Sequence, residues 1–179
     1  DIFDGPKIDY PDAASPLRGL KAPWGAYFAF GNHDEFAKRK FVVEALNNAG
    51  LKILEDKVTE LNGVQIKGLN YRFSQKPAEF LDLVNSMKYD KAKPTILIFH
   101  APVNVPEIAK NQIDLLLSGH VHLGQFWPIN YITRAIYGAY HYGLNKLGNL
   151  TVYTTNGVGT WGPHMRVGNR PEIVKIKFL

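Results

Sequence analysis

The chain has 179 residues, of which 45% are hydrophobic and 12% aromatic, enough to bury one substantial core. We therefore expect a single folded, soluble domain over residues 1–179. The sequence contains no cysteine, which excludes disulfides, cysteine-ligated zinc and a thiol nucleophile. Its formal charge of +5 is compatible with an anionic substrate, a membrane surface or nucleic acid, and selects none of them.

Short apolar runs alternate with helical patterns, which favours an α/β architecture. Residues 26–30 (AYFAF) predict a buried strand, the apolar spacing over residues 41–49 predicts a helix, and residues 51–54 predict a second strand. Asn62-Gly63 then lies between two apolar runs. This pair predicts a β-hairpin, because both central residues of that turn need positive φ.

The second half of the chain repeats this alternation. Residues 80–87 have the spacing of an amphipathic helix, and residues 95–99 (TILIF) and 113–117 (IDLLL) predict buried strands. The final residues, 172–179 (EIVKIKFL), predict a C-terminal strand.

Histidines follow three of the predicted strands. AYFAF leads into His33, TILIF into His100, and IDLLL into His120 and His122. In open α/β sheets the carboxyl ends of neighbouring strands converge on one crevice. We therefore expect these histidines to line one cleft, with further carboxylates from residues 1–5 (DIFDG).

Neutral imidazoles combined with carboxylate and amide oxygens suit Mn, Fe, Zn or Co better than Ca or Mg. A turn at Gly119 could aim His120 and His122 at two adjacent ions, an arrangement that clamps both oxygens of an in-line displacement at phosphorus. The alternative is that each histidine is a hydrogen-bonded turn residue and that Asp34 caps the following helix. The metal interpretation is favoured, because three strand ends carry histidine in a chain with only six.

The ordered blocks GNHDE, IFHAP and GHVH resemble the signature of the calcineurin-like metallophosphoesterases. The opening DIFDG is similar to that family's GDxxD block without its glycine. GHVHLGQ, TNGVGTWGP and MRVGNRPEI resemble the membrane-associated bacterial YkuE/YaeI-like branch, so the similarity extends over nearly the whole chain. The resemblance implies a sandwich of two mixed β-sheets flanked by helices, here lacking its N-terminal strand.

The resemblance also implies two divalent metal ions and their ligands. Asp1 would bridge both ions. Asn32, His100 and His120 would bind one ion, and His122 would bind the other.

The catalytic roles follow from the same resemblance. A metal-bridging hydroxide would attack phosphorus. His33 would stabilise the transition state or protonate the leaving oxygen, and Asp34 would orient His33.

The sequence departs from the family pattern at two places. An Asp-x-His block, which would complete the ligands of the His122 ion, is absent from these residues, and we expect it upstream of Asp1. A degenerate member that holds one ion is the alternative. Leu123 stands where the branch usually has glycine, a change that would narrow the cleft and spare the ligands.

Residues 126–142 contain six aromatic residues directly after the GHVH block. They could pack in the core, or form an apolar wall that holds a lipid-like leaving group or rests on a bilayer. Base stacking is a third alternative, disfavoured because interleaved Lys and Arg are lacking.

The glycine-rich tail carries two arginines, Arg166 and Arg170. They could contact a substrate phosphate, but a solvated loop is favoured. His141 and His164 are candidates for side chains that contact the metal ligands without binding the ions themselves.

These observations predict a metal-dependent enzyme that hydrolyses a phosphomonoester, phosphodiester or pyrophosphate bond, with a lipid-linked substrate as one candidate. We expect association with the cell membrane through residues upstream of Asp1. The alternatives are a non-catalytic phosphate-binding or scaffold protein with an incomplete metal site, and a nucleic-acid phosphodiesterase, although nucleic acid is a disfavoured partner.

Overall fold

The computed structural model describes residues 1–71 and 77–178, in which helices and strands alternate as predicted. The strands are β1 (Ala26–Phe28), β2 (Leu51–Ile53), β3 (Lys57–Leu61), β4 (Val64–Leu69), β5 (Thr95–Phe99), β6 (Leu115–Ser118), β7 (Gly143–Leu147) and β8 (Leu150–Thr154). The α-helices are α1 (Tyr10–Ala14), α2 (Asn32–Phe36), α3 (Arg39–Asn48), α4 (Pro77–Ser86), α5 (Val105–Ala109) and α6 (Ile129–Tyr137). Short 3-10 turns cover Ser15–Gly19, His122–Gly124 and Gly138–His141.

Six strands form one mixed sheet in the order β3-β4-β5-β6-β8-β7. Its four central strands are parallel, and β3 and β7 add antiparallel edges. The strands β1 and β2 pair in parallel as a second, smaller sheet. The α/β prediction is confirmed, with the difference that the smaller sheet has two parallel strands in the described residues and is not mixed.

Each sheet has its own apolar core. The large sheet packs against α4 and α5 through side chains that include Phe80, Leu97, Phe99, Ile108 and Leu116. The small sheet packs against α1 and α3 through Phe3, Phe28, Phe30, Val42 and Leu46, among others. These buried faces follow the alternating or helical spacing of the sequence, which is why the elements were predictable.

The predicted hairpin and the predicted C-terminal strand had opposite outcomes. The hairpin is confirmed: Asn62 and Gly63 join β3 to β4 and both have positive φ. The C-terminal strand is wrong, because residues 171–178 pair with no strand and leave Ile173 and Phe178 exposed. Alternating apolar residues form a strand only where a neighbouring strand supplies hydrogen bonds. Leu179 lies outside the described residues.

Within the parts of the chain that the structure describes, no helix combines the length and the apolar content needed to cross a membrane.

A close backbone approach joins the two sheets. Gly68 of β4 faces Leu54, whose N–H donates to the carbonyl of Phe28 in β1. A Cβ atom at Gly68 would lie 2.3 Å from Leu54 Cβ and 2.5 Å from Leu54 O. Because these neighbours include backbone, they cannot simply rotate away, and only glycine fits.

Gly68→Ala should therefore lower the free energy of unfolding by about 1 to 3 kcal/mol through overpacking. Urea denaturation measures the change. Gly19→Ala is the matched control, since no atom lies within 4 Å of a Cβ at that glycine. Equal losses in the two variants would contradict the role of Gly68.

Candidate metal centre

Four predicted ligands converge at the carboxyl ends of the strands. The Nδ1 atom of His120 lies 3.0 Å from Asn32 Oδ1 and 3.1 Å from His100 Nε2. His100 Nε2 in turn lies 2.7 Å from Asp1 Oδ2. Asp1, His100 and His120 each offer one ligand atom, and these atoms lie within 4.8 Å of one another. We call these three residues with Asn32 the metal cluster.

The donor atoms of the metal cluster suit a divalent ion, and the backbone at Gly31 leaves room for the side chains that carry them. Two imidazoles, a carboxylate and an amide oxygen are a nitrogen and oxygen set that suits a transition metal. Gly31 brings the backbone close to the ligands: a Cβ there would lie 1.9 Å from Asp1 Oδ1 and 2.8 Å from His100 Nδ1. A glycine at this position therefore keeps space for the ligand side chains.

Burial keeps the clustered imidazoles neutral. It lowers the pKa of His100 to about 3, that of His120 to about 3, and that of His122 to about 4, with further lowering of each pKa by neighbouring positive groups. All three rings are thus uncharged at neutral pH. A neutral ring nitrogen has a free lone pair, which metal binding requires.

His122 lines the same cleft but stands outside the three-residue group of potential ligands in the described chain. Its Nδ1 lies 3.4 Å from Arg166 Nη2. The binding of a second ion by His122 stays a prediction.

Arg166 holds the glycine-rich loop behind the cleft. Its guanidinium donates to the carbonyls of Asn156 at 2.7 Å and Gly157 at 3.3 Å, and also to that of Gly159. The tail around it is mostly exposed, as the solvated-loop interpretation predicted, but the Arg166 side chain is held by these hydrogen bonds and is not free in solvent.

The other three candidates in this part of the chain do not line the cleft. Arg170 and His164 are exposed. His141 is half-buried, and burial lowers its pKa.

His33 lies at the cleft with a carboxylate partner that differs from the one predicted. Its Nδ1 is 2.6 Å from Asp4 Oδ1, and its backbone N–H donates to Asp1 Oδ1 at 2.9 Å. We expected Asp34 to orient this ring, and Asp4 does so instead. Asp4 is one of the carboxylates of residues 1–5 that were expected at the cleft, but no role had been assigned to it.

Asp34 is fully buried and ties two segments of backbone together. Its Oδ1 accepts hydrogen bonds from the N–H groups of Ile2 at 2.9 Å and Phe3 at 3.1 Å. Its Oδ2 accepts from the N–H of Gly31 at 2.9 Å, which caps α2 as the alternative interpretation of Asp34 predicted. Asp34 therefore positions Asp1 relative to the GNHD turn and does not contact the His33 ring.

Two tyrosines beside the metal cluster were missed. The ring centroid of Tyr71 lies 5.6 Å from that of His100 and 5.4 Å from that of His120. Tyr137 meets the His120 ring edge-on at 6.1 Å. Tyr71 follows the end of β4, so the strand-end argument applied to the histidines could have found it.

The aromatic segment does not pack in the core through its helix. None of the residues of α6 is buried, and Ile136 is 68% exposed. The polar side chains of Asn130 and Thr133 are half-buried, whereas Ile132 is exposed. The helix thus presents apolar side chains to solvent, and its role as a wall for a lipid-like leaving group or a bilayer stays a prediction.

Loss of the Asp34 carboxylate should weaken metal binding although Asp34 is not a ligand. We expect Asp34→Ala to raise the dissociation constant for Mn²⁺ by roughly 10- to 100-fold, and Asp34→Asn by less, because Asn keeps one acceptor oxygen. Titration calorimetry measures binding, and circular dichroism checks folding. Glu35→Ala is the control at the exposed neighbour. Unchanged affinity in folded Asp34→Asn and Asp34→Ala would refute this positioning role.

A family model for calcineurin-like phosphoesterases matches residues 1–124. The chain is 31% identical over 168 residues to an uncharacterized metallophosphoesterase of Helicobacter pylori strain J99, covering 92% of this chain and 45% of the relative. It is also 31% identical to a Danio rerio protein named transmembrane protein with metallophosphoesterase domain, covering 98% and 44%. Identity to the uncharacterized metallophosphoesterase YkoQ of Bacillus subtilis is 28%, covering 88% and 61%.

No solved structure matches the chain at a significant level. The chain spans less than half the length of the Helicobacter and Danio relatives. The YkuE/YaeI-like branch stays a prediction, since these matches do not separate it from other branches. The matched family model covers the strand-end blocks that build the metal cluster, and on that basis the chain belongs to the calcineurin-like phosphoesterase family.

Proposed function

We propose that the chain hydrolyses a phosphoester with divalent metal ions held at Asp1, Asn32, His100, His120 and His122. The observation that carries this proposal is the convergence of neutral histidines, a carboxylate and an amide oxygen next to His33. Ions bound there would supply the positive charge that an anionic phosphoester needs and would lower the pKa of a coordinated water.

His33 is proposed to donate a proton to the leaving oxygen as the P–O bond breaks. The contact between Asp4 and Nδ1 of His33 fixes the ring and leaves Nε2 for the substrate. Water supplies the oxygen that ends on phosphorus, so the products are an alcohol or phosphate and the hydrolysed phosphoryl group. A histidine suits this role because its ordinary pKa lies near neutrality.

The rim of the cleft favours a substrate with an apolar part. Val158 and Trp161 line the cleft and are largely exposed. Together with the outward apolar face of α6, they support a lipid-linked substrate and a position at a membrane surface. Some relatives bear names of transmembrane proteins, which agrees with this proposal.

The test compares three histidine variants with 4-nitrophenyl phosphate and bis(4-nitrophenyl) phosphate in Mn²⁺. We expect His33→Ala to lower kcat by roughly 10²- to 10⁴-fold with metal binding retained. His120→Ala should lose both bound metal and turnover. The control, His164→Ala, should leave both unchanged, because His164 is exposed and lies outside the cleft.

Unchanged turnover in His33→Ala and His120→Ala would end this mechanism. A protein that binds phosphate but hydrolyses neither ester would instead favour the non-catalytic alternative. Steeply salt-dependent binding to DNA or RNA would favour the nucleic-acid phosphodiesterase.

A further inference from the structure

A second groove lies outside the metal cleft, between residues 102–106 and α6. We infer that it binds the aliphatic chain of an amphiphilic phosphoester whose phosphate occupies the metal cleft. This inference rests on the proposed function and adds to it a binding site for the apolar part of the substrate. We call this groove the chain groove.

The chain groove has an apolar lining and a volume of about 270 Å³. Its walls include Pro102, Val103, Pro106, Ile136, Tyr137 and Tyr140. None of the described residues that line it carries a charge. Asn104 and the two tyrosine hydroxyls are its polar groups, and a mainly apolar, uncharged surface of this kind gains free energy by covering apolar groups.

Both walls of the chain groove come near the metal cluster. One wall begins at Pro102, two residues after His100 in the chain. The other contains Tyr137, whose ring meets that of His120 at 6.1 Å. Tyr137 thus lies between the chain groove and the His120 ring, and the chain of a phosphoester bound at the metal cluster would have to pass this side chain to enter the groove.

The floor of the chain groove belongs to the core. Val105 is buried, and Val103 and Tyr140 pack against the core of the large sheet. The groove is thus formed before any ligand binds. Ile136 stays largely exposed on its rim, which leaves apolar surface for a ligand to cover.

The dimensions and chemistry favour an alkyl chain over larger partners. An α-helix is about 10 Å across with its side chains, so two turns of it occupy roughly 800 Å³, about three times the volume of the groove. A nucleic-acid strand would need basic side chains along its phosphates, and the described lining has none.

The test is calorimetric binding of non-hydrolysable n-alkylphosphonates, from butyl to decyl, to the Mn²⁺-loaded protein. The affinity should rise about fourfold with each methylene until the groove is full. Ile136→Asp should abolish most of this rise and leave the affinity for butylphosphonate nearly unchanged. Ile132→Asp is the matched control, because Ile132 is exposed on the same helix but does not line the groove.

An affinity that does not depend on chain length would overturn the inference, as would equal effects of Ile136→Asp and Ile132→Asp. Binding is measured without turnover, so the two proposals can fail separately. Chain-length dependence without hydrolysis of any ester would retain the chain groove and reject the catalytic proposal. Hydrolysis of the 4-nitrophenyl esters without chain-length dependence would do the reverse.

Discussion

The buried carboxylate of Asp34 is the interaction on which the candidate site depends. Its two oxygens accept hydrogen bonds from the backbone beside Asp1 and from the backbone of Gly31. Two segments about thirty residues apart in the chain are thereby held together, and each carries a proposed metal ligand. A buried charge is tolerated here because three N–H donors compensate for its lost hydration. Asp1 and Asn32 therefore face His100 and His120 without either segment being part of a long element.

The metal cluster brings together two imidazoles that would repel each other if both were protonated. Burial and neighbouring positive groups lower the pKa of His100 and His120 to about 3, so neither ring holds a proton at neutral pH. Burial of the two rings therefore costs desolvation but leaves their neutral nitrogens, close to the Asp1 carboxylate, able to bind a cation. The same packing excludes a side chain at Gly31, where even a methyl group would overlap Asp1. A glycine at position 31 is therefore required both by the close packing of the turn and by the side chains of Asp1 and His100 beside it.

Folding explains the apolar residues of the core, but it does not explain the apolar surface of α6 near the site. The buried residues of the central strands are apolar because one face of the large sheet packs on the core, whereas α6 turns Asn130 and Thr133 inward and leaves Ile136 outward. Burial alone does not explain such a helix, since folding favours the opposite orientation. A ligand or a surface that covers it would account for the exposed residues, and the position of Tyr137 against His120 links that surface to the metal cluster.

The sequence by itself determined the α/β class, the Asn62-Gly63 hairpin and the strand-end histidines, because apolar periodicity and turn chemistry are local properties. It could not determine that Asp4 contacts His33 while Asp34 binds backbone, since the two carboxylates are chemically alike and the one next to His33 in the chain is not the one that meets its ring. It also could not show that residues 171–178 lack a partner strand, or that Arg166 holds the Asn156–Gly159 loop. These outcomes depend on which distant groups meet, and only the tertiary packing decides that.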